Sequence, residues 1–147
     1  METITVAKGE FILSTEKAKM DLPIIHHYLA NQSYWAQNIP IETVQLAIEN
    51  SLNFGIFHNN KQIGYARIVS DFATVAYLGD VFILPTYRGL GLSKWMIENI
   101  MLHPNLQGLR RWILLTADAH DLYKKFGWSC IAIPERWMDK HNPNVYQ

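Results

Sequence analysis

The stretch Arg88-Gly89-Leu90-Gly91-Leu92-Ser93 follows an apolar run and leads into a segment of helical periodicity. The first N–H groups of a helix lack intrahelical acceptors and lie at the positive end of its dipole. Glycine has no Cβ, so an anion can approach the backbone closely. The segment therefore reads equally as a cradle for a pyrophosphate or as a strand–helix connection that needs flexible residues. It is not a Walker A loop, because no Gly-Lys-Ser/Thr follows; nor is it G-x-G-x-x-G, because Lys94 stands three residues after Gly91. Asp80 places a carboxylate inside an apolar run, where burial is costly unless the group is paired or functional. Strand alternation puts it on the face of Phe82, and a structural, hydrogen-bonded Asp is the equal alternative. Arg67, on a segment that otherwise reads as core, has the fork geometry to hold a carboxylate. Tyr34, Trp35 and Tyr65 are aromatic candidates for an acceptor pocket, each also explicable as packing.

Metal chemistry finds no support in these spacings. His26 and His27 are adjacent on a helix and point to different faces, and Asp118-x-His120-Asp121 lacks a partner cluster. Cys130 alternates into a strand-like run and is expected as a buried, inert thiol.

The elements that must position these residues follow from periodicity. Thr3 to Ser14 holds one or two edge strands broken at Lys8-Gly9. Asp21 caps a helix with Pro23 in its first turn and Ile24, Ile25, Tyr28 and Leu29 on one face. A second helix carries Val44, Ala47, Ile48 and Ser51 on one face and Glu42 in its first turn. Two strand-like runs then meet at Asn59-Asn60-Lys61 as a hairpin. The run 74–84 is continuous enough for a central strand covered on both faces, and Pro85 ends it. A helix over 92–103, a strand over 109–117, a short helix stopped by Gly127 and a strand over 128–133 complete the order β-αα-βββ-α-β-α-β. The expected fold class is α+β (mixed α/β), one central mixed sheet flanked by helices.

The 147 residues fit a single domain, 1–147, with no repeat or linker-like stretch, and 49% apolar against 18% charged residues excludes a disordered chain. Thirteen basic and thirteen acidic residues cancel, which argues against nucleic-acid binding driven by phosphate neutralisation. No apolar stretch approaches a membrane span, so no membrane role is expected. The single cysteine permits no internal disulfide, and a cytoplasmic protein is the expectation. The C-terminal PERWMDKHNPNVYQ is a candidate surface for a homodimer.

The segment VFILPTYRGLGLSKWMIENIM closely resembles motif A of the GNAT superfamily of N-acetyltransferases, [Arg/Gln]-x-x-Gly-x-[Gly/Ala], as Arg88-x-x-Gly91-x-Ser93. Ser93 departs from the small Gly or Ala. AHDLYKKFGW resembles the superfamily's second signature, Ala-x-x-Leu-Tyr-x-x-x-Gly-[Phe/Trp]. The two stand in the right order at a fitting separation, and the element order extends the resemblance over nearly the whole chain. It implies acetyl-CoA as co-substrate, direct acetyl transfer to an amine, and no metal. It also implies pantetheine paired with backbone at Phe82, Ile83 and Leu84, and pyrophosphate on the amides of Arg88, Gly89, Leu90, Gly91, Leu92 and Ser93. Many relatives hold the cofactor with an Asn three residues before the Ala of the second signature; this chain has Thr116 there, with Asp118 close by as the candidate contact.

By the same resemblance Tyr123 is the family's tyrosine acid, and a backbone N–H near Ile83 is the donor to the developing oxyanion. A phenol of pKa ~10 stays protonated at neutral pH, while a thiol of pKa ~8.5 leaves as the weaker base. Asp80 is the candidate base, with Asp71, Asp118 and Glu49 as alternatives, and Tyr34, Trp35, Tyr65, Arg67 and Asp80 are the candidate acceptor pocket. The reading is an N-acetyltransferase acting on a small-molecule primary amine. A non-catalytic acyl-CoA-binding or regulatory domain, an enzyme acting on protein N-termini and an unrelated nucleotide-binding α/β protein are the rivals.

Overall fold

The structure is a computed structural model that describes residues 1–147. Its strands are β1 (Thr5–Lys8), β2 (Phe11–Ser14), β3 (Leu52–His58), β4 (Lys61–Ser70), β5 (Val75–Ile83) and β6 (Arg111–Leu114). Its helices are α1 (Leu22–Asn31), α2 (Ile41–Glu49), α3 (Leu92–Met101) and α4 (His120–Lys124). The six strands form one sheet in sequence order; neighbours are antiparallel except β5 and β6, which the α3 crossover makes parallel.

Local chemistry accounts for most of these boundaries. The Asp21 carboxylate accepts the Ile24 N–H at 3.1 Å and starts α1. Asn59 and Asn60, at φ of +50° and +64°, make the tight turn between β3 and β4. Between β4 and β5, Asp71 accepts the Thr74 hydroxyl and the N–H groups of Ala73, Thr74 and Val75. These bonds favour the ionised form and hold its carboxyl well below the usual carboxylate range.

Both sheet faces are covered, as the long apolar run of β5 requires. On one face α3 sets Trp95, Met96, Ile97 and Ile100 against Phe54, Ile56, Ile68 and Leu78. On the other, Ile25, Tyr28 and Leu29 of α1 and Val44 and Ile48 of α2 pack on Tyr65 and Phe82. Glycine at position 127 (φ +89°) ends α4, and the Trp128 N–H returns to the Tyr123 carbonyl at 3.3 Å.

The C-terminal region departs from expectation. Residues 128–133 form no strand, and only a 3-10 turn at Pro134–Arg136 follows. The Trp128 ring packs against Trp112 and Tyr123 at 6.0 and 5.9 Å between centroids, which anchors the segment beside β6 without joining its ladder. Cys130 is exposed, not a buried strand residue, because no sheet covers it. The strand expected over 109–117 is confined to β6, since its neighbour β5 pairs with it only that far.

Candidate active site

The site begins where β5 and β6 part. They pair from Val75/Arg111 to Leu78/Leu114, and beyond that register β5 has no partner on this edge. The Leu84 N–H donates to the Ile63 carbonyl at 2.8 Å, and the Leu84 carbonyl accepts from Tyr87. Leu84 thus has both backbone groups engaged. Alternation turns the N–H of Ile83 to the open edge.

At the mouth of this opening a 3-10 turn, Pro85–Tyr87, carries the chain into the glycine turn. Gly89 and Gly91 lie in the left-handed region at φ of +81° and +76°, Gly91 forming the N-cap of α3. A Cβ at either would meet nothing within 4 Å, so glycine is required there for its conformation and not for space. From Gly89 to Ser93 no backbone N–H finds an acceptor within the chain. Leu92 is buried and pins the turn to the core, while Gly89, Leu90 and Gly91 are exposed. The result is a run of free donors at the positive end of a helix, a fit for an anionic diphosphate. Arg88 plays a different part: its Nε donates to the Ile83 carbonyl at 3.1 Å, its Nη2 to the Tyr28 hydroxyl at 3.0 Å, and its own N–H to the Pro85 carbonyl at 3.3 Å. It braces the loop against β5 and α1.

Opposite the open edge, β4 and β5 slip register between Tyr65 and Arg67, giving β5 one extra residue. Asp80 occupies the bulge at φ +53°. Its Oδ2 accepts from Arg67 Nε at 2.8 Å and its Oδ1 from Trp35 Nε1 at 2.9 Å, while Arg67 Nη1 reaches Ser51 Oγ at 3.2 Å. Both carboxylate oxygens are thereby occupied. Asp80 and Phe82 do share a face, although through a bulge; Phe82 stacks on Tyr28 at 4.0 Å. Tyr65 donates its hydroxyl to Asn53 Oδ1. Tyr65, Arg67, Asp80, Trp35 and Tyr77 wall a cavity of about 230 Å³ whose remaining surface is α1 and α2, the loop residues Ala36 and Ile39, and Tyr146 of the C-terminal tail. Burial first, then the Asp80 charge, raises the phenols of Tyr65 and Tyr77, so both stay neutral at physiological pH.

On the other side of the β5–β6 opening, outside that cavity, stands α4. Tyr123 is 7% exposed. Its phenol is pushed up to about 12, by burial first and then by the neighbouring Tyr34 and Asp118. The Tyr34 hydroxyl accepts the Ala117 N–H at 2.8 Å, which ties the loop after α1 to the end of β6. Thr116 Oγ1 accepts from the Ala119 and Asp118 N–H groups at 3.0 and 3.4 Å and so holds the turn that leads into α4. Asp118 itself is exposed. The structure thus gathers Tyr34, Trp35, Asp80, Arg67 and Tyr65 along one side of the cleft. Tyr77 and Tyr28 join the site without having been singled out: Tyr28 reads as an ordinary member of the α1 stripe, and only the bulge brings Tyr77 and Asp80 into one wall. No group of His, Cys, Asp and Glu capable of holding a metal occurs. No helix is long and apolar enough to cross a membrane.

Known proteins resemble this chain in sequence and fold. The model of the Acetyltransferase (GNAT) family matches residues 22–128. A crystal structure of a Xanthomonas campestris pv. campestris protein assigned to the GNAT family superposes with a TM-score of 0.91 at 45% identity, covering 92% of this chain and 96% of that one. A Gibberella zeae protein named as an acetyltransferase is 30% identical over 140 residues, 80% of this chain and 78% of its own. A Clostridium acetobutylicum protein described as a predicted acetyltransferase, solved with acetyl-CoA, shares the fold with a TM-score of 0.52 at 20% identity, covering 68% of this chain and 70% of that one.

Proposed function

The chain belongs to the acetyltransferase (GNAT) family, and from that premise we propose that residues 1–147 act as one N-acetyltransferase domain. The proposed reaction moves an acetyl group from acetyl-CoA to the primary amine of a small molecule. The observation that carries the reading is the run of free N–H donors from Gly89 to Ser93 beside the unpaired edge of β5. Acetyl-CoA, when bound, supplies the acetyl group as an activated thioester.

In this reading the amides of Gly89 to Ser93 hold the diphosphate, and Ile83 offers its N–H to the carbonyl oxygen of the group being transferred. Arg88 fixes the turn in place. Tyr123 keeps its proton at Oη. With the phenol near 12 and a free thiol near ~8.5, full transfer to a thiolate runs about 5 kcal/mol uphill. Tyr123 therefore serves as a hydrogen-bond donor to the departing sulfur, not as an acid that surrenders its proton. Asp80, with both oxygens engaged, orients Arg67 and Trp35. The acceptor reaches the cleft as the neutral amine; as its nitrogen bonds to the acetyl carbon and the C–S bond breaks, sulfur leaves as the thiolate and the proton shed by the nitrogen passes to solvent. The small, largely apolar cavity beside these residues favours a compact acceptor. The single, exposed Cys130 fits work in the reducing cytoplasm.

The test is direct. Purified protein, acetyl-CoA and a panel of small primary amines are followed for thiol release and for acetylated product by mass. Amine-dependent thiol release is expected with at least one compact amine. Tight acetyl-CoA binding with no turnover across the panel would instead favour a non-catalytic cofactor-binding domain.

A further inference from the structure

The cavity beside Asp80 carries two donors that nothing in the chain uses. Arg67 spends Nε on Asp80 at 2.8 Å and Nη1 on Ser51 at 3.2 Å, which leaves Nη2 without a partner. The Tyr77 hydroxyl makes no hydrogen bond within the chain either. Both residues line the cavity, and the Arg67 side chain is 20% exposed, so a ligand can reach it. Gly79 brings the two together. It stands opposite Arg67 in the β4–β5 ladder, and a Cβ there would lie 2.9 Å from Tyr77 Cε1 and 3.6 Å from Tyr77 Oη. The phenol therefore lies along β5 in the space that the missing side chain leaves, across from Arg67. A neutral phenol and a guanidinium, both donors, call for an oxygen anion between them.

Two further features narrow the ligand. Asp80 is engaged at both oxygens, but each keeps a lone pair that can accept an N–H. It stands next to Arg67, so an N–H donor and an oxygen anion would meet this wall side by side, as an amine and a carboxylate on one carbon do. Beyond these groups the cavity is apolar, with Ile25, Leu29, Val44 and Ile48 in its lining. At about 230 Å³ it falls below the ~300 Å³ at which drug-sized pockets begin. Asp80 also lies just past Leu78, the last residue that β5 pairs with β6, so the cavity borders the unpaired stretch that ends at Ile83.

Resting on the acetyltransferase reading above, we propose that this cavity binds a free α-amino acid with an apolar, leucine-sized side chain, and that this is the acceptor. Its carboxylate accepts from Arg67 Nη2 and Tyr77 Oη, its amine donates to Asp80, and its side chain lies against α1 and α2. In the transfer the nitrogen bonds to the acetyl carbon as the C–S bond breaks. Sulfur leaves as the thiolate, the proton shed by the nitrogen passes to solvent, and the product is the N-acetyl amino acid. The first residue of a protein chain fits worse, because it has an amide where the free amino acid has its carboxylate.

Leucine, leucinamide and 3-methylbutylamine share one apolar group and differ at the carboxylate; leucinamide stands in for a protein N-terminus. Calorimetry of each against the protein with CoA, which has no acetyl group to give, reads binding, and thiol release with acetyl-CoA reads transfer. Leucine is expected to bind, and to exceed both others in affinity and in kcat/KM by roughly tenfold or more, although leucinamide presents the less basic amine. Tyr77→Phe removes one donor, and Gly79→Ala displaces the phenol with its Cβ. Each should weaken leucine by roughly tenfold or more and 3-methylbutylamine by less. Leucine that binds no tighter than leucinamide, or that both variants hold as the unaltered protein does, overturns the proposal, while acetylation of the other amines would leave the transferase reading standing. Carboxylate-dependent leucine binding with no thiol release supports the amino-acid site and overturns the transferase reading instead.

Discussion

At the scale of single residues, Tyr123 and Asp80 divide the work differently from two residues exchanging protons. Burial keeps the Tyr123 phenol protonated across the whole working range, so its contribution is one hydrogen bond to developing charge. Tyr123→Phe is expected to lower kcat by about 10²-fold, at the low end of acid–base effects, while leaving acetyl-CoA affinity within about twofold. Steady-state kinetics with calorimetry on the same preparation separates the two quantities. Asp80 sits where Arg67 and Trp35 converge, with the ion pair 20% and 14% exposed at its two side chains. Asp80→Asn strands the Arg67 charge, and partial exposure reduces the usual penalty for a broken buried pair to about 1–3 kcal/mol of stability. Urea denaturation measures it. The positioning role further requires that the pH dependence of kcat/KM keep its shape in Asp80→Asn, even if its height falls. Loss of an acidic limb in the variant would identify Asp80 as the base after all.

At the scale of elements, the decisive feature is a turn whose donors are left free by its conformation. Gly91→Ala tests this, because an added Cβ meets nothing within 4 Å and can act only through the left-handed backbone at φ +76°. The variant is expected to lose about 1–2 kcal/mol of stability, and acetyl-CoA should bind more weakly because the amide run is redirected; calorimetry reads the affinity and denaturation the stability. This turn was legible in the sequence because its signal is local, as were the Asp21 cap, the Asn59-Asn60 hairpin and the Gly127 stop. The brace from Arg88 to Tyr28 was not, for it joins residues 60 apart in the chain. The bulge at Asp80 was equally hidden: Phe82 and Asp80 share a face under simple alternation too, so the pattern gives no sign of the extra residue. Strand-like alternation in WSCIAI predicted pairing, but a strand exists only where a ladder receives it, and the Trp128 anchor holds this one beside β6 without entering its ladder.

At the scale of the whole molecule, the sheet grows in sequence order until the α3 crossover, and the return from α3 to β6 must be fixed for β6 to part from β5 at the right place. His103 does this. It is fully buried, stands edge-on to Phe54 at 5.9 Å, and accepts the Asn105 N–H on Nδ1 at 3.1 Å, which leaves the proton on Nε2. Nε2 is buried without a partner, and burial lowers the pKa, with nearby Glu2 opposing in part. A histidine held neutral in the folded state and free to protonate near ~6.5 when unfolded makes the unfolded chain bind more protons as the solution acidifies. Its contribution is therefore complete above about 6.5 and is lost as pH falls toward the lowered folded pKa. Urea midpoints are expected to be level from pH 8 to about 7 and to fall as the pH drops below about 6.5, with no matching change in the denaturant slope. In His103→Asn, whose short amide can still accept the Asn105 N–H, the midpoint starts lower but the fall across that interval is reduced. An undiminished fall in the variant would assign the acid sensitivity to other groups and remove His103 from the account of how the β5–β6 opening is held.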